Sequence, residues 1–550
     1  MRRRLCALLA VPAALAAASP AYAGQDAFNS TGLRNAVTLE GIREHQQVLQ
    51  SIATANGGTR ASGTPGYDAS VAYVQQRLEA AGYDVTVQPF EFPFFREDST
   101  PEFERISPSP RVFTTPDEFS SMTYSGSGSP TANATAVDIS TTPATSTSGC
   151  ETADFAGFPA GNIAVMQRGT CPFKTKAINA QTAGASGVVI FNNVAGPLNG
   201  TLGSPGQNIP VIGTLQSIGN ELVSQIAAGP VRLRLKTNTV SQVRTTYNVL
   251  ADSAKGDPSR TVVVGAHLDS VYAGPGINDN GSGSAAILEI AEQMGQKGFS
   301  ERNRVRFAWW GAEELNLLGS THYVNTLPQA ELDKIMLNLN FDMVGSPNYV
   351  RFVYDGDNSA FPVGPGAALG PDGSGQIESV FVSYFRNRGL ESDPTPFSGR
   401  SDYGPFIARG IPAGGLFTGA EGIKTARQAT IYGGTAGMAY DPCYHQACDT
   451  FANNNDRGLD EMSDAAAHAT YTFARTKEEI TNDGRLKPGR NGTPPPADSS
   501  GPGNNAGGGL HADHDRAVAA SSVKRRASRS RTAARRSVKR LSYYGSQARR

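Results

Sequence analysis

At 550 residues the chain exceeds one ordinary domain, and two or three units are expected. Hydrophobic residues make up 39%, enough for a packed core, whereas 61 glycines and 34 prolines require many turns. The formal net charge of zero conceals an asymmetry: residues 524–550 carry Lys and Arg but no acid, so the body of the chain is acidic, which argues against a nucleic-acid substrate.

The first residues read as an export signal. Arg2, Arg3 and Arg4 precede an apolar run from Leu5 to about Ala18, and Ala21-Tyr22-Ala23 offers a small-x-small cleavage site. Residues 1–23 are therefore expected to leave, giving a secreted, extracellular protein that begins near Gly24. The run is too short to span a bilayer, and no later stretch is apolar enough to do so. With Cys6 gone, Cys150, Cys171, Cys443 and Cys448 remain, an even number that reads as disulfides in an exported protein. Proximity suggests Cys150–Cys171 and Cys443–Cys448, although four cysteines allow three pairings and a thiolate zinc site competes.

Helical patterns occupy Leu39–Ala53 and Tyr67–Ala81, and a strand is predicted over Asp84–Phe90. A Pro/Ser/Thr-rich passage from about Asp98 to Ser148 leads into a β-rich unit with strands at Asn162–Gln167, Gly187–Phe191 and Ile209–Gly213 and a helix at Lys174–Ala183. That unit is expected to end near Thr239. From Thr245 strands and helices alternate to about Lys477, which predicts βαβ units and a mainly parallel sheet between helices. Beyond Lys487 the composition cannot offset its ordering entropy, so 488–550 is predicted to be disordered.

The chemistry sits in the alternating region. Thr261–Ala266 reads as a buried strand that ends at His267, and a Gly/Asn-rich loop carrying Asp279 leads to a helix near Ser284. Arg304–Trp310 is a second strand with Glu313 and Glu314 at its end, and Ile335–Phe341 a third with Asp342 at its end. Open α/β sheets bind ligands at the carboxyl ends of their strands, so these groups can converge. Acids and imidazoles crowded there would repel without cations, and this ligand mixture suits zinc. His445, in the Cys443–Cys448 loop, is the fifth ligand candidate. Each residue has a plainer reading taken singly: Glu313 and Glu314 as a solvated helix start, Asp342 as a cap, Asp279 as a turn residue. Trp309 and Trp310 read as core, and His45, His322 and His468 as solvated helix residues.

The motifs AHLDS, GINDNGSG, WWGAEELNLLGS, NFDMVGSP and CYHQACDT, in that order, resemble the co-catalytic zinc aminopeptidases of peptidase family M28. The likeness is strongest to secreted actinobacterial and vibrio leucine-type enzymes and covers roughly 35–110 and 244–480. The unit around 131–240 resembles the protease-associated (PA) domain that many members carry as an insertion. This resemblance implies a signal at 1–23, a peptidase domain split into 24–125 and 244–487, and a PA insertion at 126–243. The fold it implies is that of a zinc exopeptidase: α/β, with a mainly parallel mixed sheet flanked by helices.

By the same resemblance Asp279 bridges two zinc ions, His267 and Asp342 complete one site, and Glu314 and His445 the other. Glu313 is the general base, Asp269 orients the His267 ring, and Tyr444 donates to the oxyanion. Asp342 and Glu313 receive the substrate amine, and Arg400 arranges that pocket. The peptide bond Asp279–Asn280 is expected to be cis. Asp460 and Asp464 stand where relatives hold calcium, with ordinary helix solubility as the equal reading. A monomer acting on peptides with free N-termini is implied, preferring a large hydrophobic first residue. The basic tail is open to a role on an anionic cell surface. A zinc carboxypeptidase or glutaminyl cyclase on the same fold, and a non-catalytic binding protein, are the competing functions.

Overall fold

The computed structural model describes residues 29–480. The expected signal and basic tail lie outside the described residues.

The central sheet of the peptidase unit is built around three adjacent parallel strands. Asp257–His267 lies in the middle, flanked by Ile335–Phe341 on one side and Asn303–Trp310 on the other. Ala413–Phe417 extends the parallel set beyond Ile335–Phe341, while Arg232–Asp252 closes the opposite side antiparallel to Asn303–Trp310. Val262, Val263 and Val264 are all fully buried, as expected for a strand covered on both faces. Trp309 and Trp310 are likewise core residues, and burying each such indole is worth roughly 5 kcal/mol as an upper figure.

Helices Leu39–Ala55, Pro65–Ala80, Gly281–Lys297 and Asp456–Arg475 share one continuous core with the sheet. Their starts follow from capping chemistry. The Thr38 and Thr64 side chains accept from the N–H groups of Gly41 and Tyr67, and Pro65 stands in the first turn, where its missing N–H costs nothing. Asn280 caps the helix behind the Asp279 loop through Gly283 N–H. Gly283 must be glycine, because a Cβ there would lie 2.2 Å from the Phe341 carbonyl oxygen. That close approach presses the helix start against the end of the Asp342 strand.

The inserted unit repeats the layering on a smaller scale. Ile163–Gln167, Gly187–Phe191 and Val211–Thr214 are parallel neighbours, buried throughout, with helices Phe173–Thr182 and Gln216–Ala228 packed on them. Cys150 and Cys171 are bonded here, and Cys443 and Cys448 in the peptidase unit.

Two strands join the units. Asp84–Ser107 and Arg232–Asp252 run antiparallel from Asp84↔Asp252 to Ser107↔Arg232. The strand expected over Asp84–Phe90 thus continues into the passage read as irregular, and the unit boundaries expected near Thr239 and Thr245 fall inside one unbroken strand. Phe90, Phe92 and Phe94 are buried at alternate positions, and beyond the register shifts between Glu97 and Glu102 the buried parity changes to Pro101, Phe103 and Arg105. Among the described residues no helix is long and apolar enough to cross a membrane.

Candidate metal centre and its comparisons

The three parallel strands end side by side, and their next residues converge. His267 Nε2 lies 3.3 Å from Asp279 Oδ1 and 3.2 Å from Asp342 Oδ1. His445 Nε2 lies 3.1 Å from Asp279 Oδ2 and 2.9 Å from Glu314 Oε2. The two oxygens of Asp279 therefore face two different imidazoles. Glu313 Oε2 is 3.9 Å from His267 Nε2, and Glu313 forms a further possible ligand group with His267 and Glu314.

Backbone strain accompanies this convergence. Ala312, Asn316, Leu317, Met343 and His445 all hold positive φ, a conformation costing non-glycine residues of order 1–3 kcal/mol each. Asp279–Asn280 is cis. What restrains the loops is a set of polar clamps. Asp449 accepts the N–H groups of Asn278 and Asp279 on its two oxygens, both at 2.9 Å. Asp441 accepts from the Asn278 amide at 2.7 Å, and Asn453 ties Asp441 to Asp449. The Cys443–Cys448 disulfide lies between these two aspartates, so one short loop both carries His445 and grips the backbone of Asp279. The fully buried Arg60 donates to the carbonyls of Leu268, Pro275 and Gly276 and fixes the approach to that loop. Ser401 donates to Asp342 Oδ2 at 2.6 Å and itself accepts from Asn340 at 2.8 Å.

Burial and mutual charge set the protonation of the cluster. Burial pushes Glu313 well above the usual carboxylate range, and neighbouring Asp342, Asp402 and Glu314 add to the rise. Glu314 is raised to about 7, chiefly by burial. Burial alone would lower His445, but Glu314 and Asp279 outweigh it and raise the ring to about 10. His267 is raised in the same way by Glu313 and Asp342. Asp279, despite its burial, is held below its ordinary value by the two imidazoles.

The donor set fits a pair of divalent cations. His267, Asp279 and Asp342 form one trio of ligand atoms within bonding reach of a common ion, and Asp279, Glu314 and His445 form a second. Glu314 Oε1 is buried with no hydrogen-bond partner among the described residues, which a cation would remedy.

Around the cluster lies a cavity of about 240 Å³, with Met343, Tyr354 and Phe417 on its apolar wall and Tyr444 and Arg400 at its rim. The Tyr444 hydroxyl accepts from Arg400 Nη2 at 3.3 Å, while Arg400 Nη1 pairs with Glu421 at 2.8 Å. Arg400 thus engages the tyrosine and an acid of its own chain.

One expectation needs correcting: the helix residues His45 and His468 are not solvated. His267 Nδ1 is 3.1 Å from the backbone carbonyl of Asp269 and 3.7 Å from the Asp269 carboxylate, which also accepts the Glu313 N–H at 3.2 Å. Asp464 is faced by Arg34 at 3.6 Å and Arg388 at 3.7 Å. His45 and His468 are buried, His45 beside Glu289 and Tyr73 and His468 against Ser30 and Tyr384. Sequence reading also missed the clamps Asp449, Asp441, Ser401 and Arg60. The only signal for the first two was a pair of acids flanking the small disulfide loop.

This strand-end centre, joined to a PA-like insertion, defines the class of the zinc aminopeptidases. The chain belongs to peptidase family M28: that family's model matches residues 248–470, and the PA domain model matches residues 132–222. An aminopeptidase of Pseudomonas aeruginosa is 48% identical over 459 residues, spanning 82% of this chain and 84% of the relative. Leucine aminopeptidase 2 of Trichophyton equinum is 38% identical over 479 residues, spanning 85% and 92%. Among solved structures, an aminopeptidase from Aneurinibacillus sp. strain AM-1 superposes with a TM-score of 0.57 at 27% identity, covering 82% of this chain and 98% of that one. BSAP, a zinc aminopeptidase from Bacillus subtilis, gives 0.53 at 25% identity, covering 81% and 98%.

Proposed function

We propose that the protein is a secreted, leucine-type aminopeptidase that works with two zinc ions. The observation that carries this reading is Asp279, whose two carboxylate oxygens each face a separate imidazole-carboxylate group. His267, Asp279 and Asp342 would hold one ion, and Asp279, Glu314 and His445 the other. Bound there, the pair would supply Lewis-acid polarisation of the scissile carbonyl and acidify water.

The chain's own groups do the rest. Glu313, buried in the cluster within reach of His267 and Glu314, takes the proton from the attacking water and returns it to the leaving amine. The Tyr444 hydroxyl, which accepts from Arg400, donates to the developing oxyanion. Asp342 and Glu313 present negative charge to the free α-ammonium, and Met343, Tyr354 and Phe417 receive a large apolar first side chain. A carboxypeptidase would need a cation for the substrate carboxylate, but Arg400, the one Lys or Arg lining this cavity, is paired with Glu421. Export is supported by the Arg2–Arg4 and Leu5–Ala18 signal pattern and by the two disulfides.

The test compares hydrolysis of leucine p-nitroanilide with that of its N-acetylated form, with and without chelator, in wild type and Glu313→Gln. Cleavage of the free-amine substrate alone is expected, lost on chelation and reduced by about 10²–10⁴-fold in the variant. Equal cleavage of the acetylated substrate would overturn the reading.

A further inference from the structure

A second cavity of about 130 Å³ adjoins the first, and Glu314 is the one residue that lines both. Its volume is close to the ~150 Å³ apolar cavity known to accept a benzene ring, so it suits one side chain. One side of it is aromatic and aliphatic, with Phe94 and Phe95 from the long strand Asp84–Ser107, Tyr272 from the loop after His267, and Leu315 beside the two glutamates, while Asp269, Glu314, Ser62 and Ser270 line the rest. Tyr272 is 44% exposed and Leu315 37% exposed, an unusual state for large apolar groups gathered at one mouth. Packing the fold does not account for that exposure.

Two of these groups are nevertheless held in place. Arg96 donates to the Tyr272 hydroxyl at 2.7 Å and lies over its ring at 5.5 Å. Phe95 rests edge-on against Tyr124, with ring centroids 5.8 Å apart, at the approach to the inserted unit. Phe95 and Arg96 are consecutive in the strand that leads into that unit. The wall is thus built where the two units meet.

The direction of the substrate follows from charge. A free N-terminus ends at the acid cluster, with its side chain against Met343, Tyr354 and Phe417. Glu314, which lines both cavities, connects that cluster to the second cavity, on the side where the rest of the peptide can lie. We propose that this cavity receives the side chain of the residue after the scissile bond, selecting an aromatic or large aliphatic group there, with Phe95 and Tyr272 as the selecting residues. The proposal rests on the aminopeptidase reading above.

The test measures kcat/KM for leucinamide, Leu-Gly-Gly and Leu-Phe-Gly in the full zinc-loaded chain and in Phe95→Ala, Tyr272→Ala and Tyr272→Phe. Wild type is expected to favour Leu-Phe-Gly over Leu-Gly-Gly by about tenfold, mainly through KM. Phe95→Ala and Tyr272→Ala are expected to erase most of that preference while leaving leucinamide and Leu-Gly-Gly within about twofold, and Tyr272→Phe to retain it. Turnover of leucinamide by the same preparations reports an intact fold. A wild type that treats the two tripeptides alike, or variants that lose all three substrates equally, would overturn the subsite while leaving the aminopeptidase reading standing. Release of leucine from none of the three by wild type would overturn both.

Discussion

The peptidase unit and the inserted unit share one construction, parallel strands buried on both faces with helices packed against them, yet only one ends in chemistry. The peptidase strands Asp257–His267, Asn303–Trp310 and Ile335–Phe341 deliver an imidazole and carboxylates to one edge. The inserted strands Ile163–Gln167, Gly187–Phe191 and Val211–Thr214 end instead in Gln167, in Asn192 just beyond Phe191, and in Thr214, amides and a hydroxyl that neither repel one another nor attract a cation. Among the described residues, every group of His, Cys, Asp and Glu close enough to share a metal ion lies in the peptidase unit. Architecture supplies the edge, and the residues placed at strand ends decide what that edge does.

Substituting strand ends in the two units should break this symmetry most sharply. Asp279→Ala removes the carboxylate shared by both trios and is expected to abolish zinc retention and lower kcat/KM by more than about 10³-fold. Gln167→Ala in the inserted unit is expected to leave both within about twofold. Metal analysis after dialysis, beside steady-state kinetics, checks the pair. Tyr444→Phe is expected to lower kcat by about 10²-fold with zinc content unchanged, since it removes a hydroxyl that lines the cavity but belongs to neither ligand trio. Asp449→Asn, which weakens the grip on the Asp279 backbone, should cost about 10–100-fold in zinc affinity, read by competition with a chromophoric chelator.

The disulfides sharpen the comparison. Loss of Cys150–Cys171, which closes a sequence separation of 21 residues, is expected to destabilise the inserted unit by about 3 kcal/mol in denaturant melts while sparing kcat. Loss of Cys443–Cys448 loosens the loop that carries His445 and should instead lower zinc affinity.

The smallest effect is on pH dependence. The His445 pKa is raised to about 10 in the metal-free fold from an ordinary 6.5, so its contribution to stability is full below about 6.5 and is lost as pH rises through about 10. Metal-free protein should therefore melt progressively lower across that window. The zinc-loaded protein should not, because its imidazoles are already deprotonated and zinc uptake releases protons. Calorimetric scans of both forms check this.

Much of the site was legible because its ligands lie at the ends of strands with strong apolar signatures. Thr261–Ala266 and Ile335–Phe341 announce themselves, and the residues that follow them, His267 and Asp342, are then conspicuous. The long strand Asp84–Ser107 was only partly legible, since Pro89, Pro93 and Pro101 break the propensity while the antiparallel partner Arg232–Asp252 holds the strand together. Tertiary pairing supplied what local preference lacked. The clamps Asp449, Ser401 and Arg60 were not legible, because a polar residue that grips a distant backbone carries no local pattern. His45 and His468 misled for a related reason: each lies on the buried face of its helix and meets a hydrogen-bond partner distant in sequence, Tyr73 and Ser30.

The most direct test of the central account is to count zinc ions per chain by native mass spectrometry, in wild type and in His445→Ala. Two ions in wild type and one in His445→Ala are expected, with Asp279 still serving the His267 and Asp342 site. A single ion in wild type, or two retained in the variant, would contradict the assignment of the strand-end cluster as a two-metal centre bridged by Asp279.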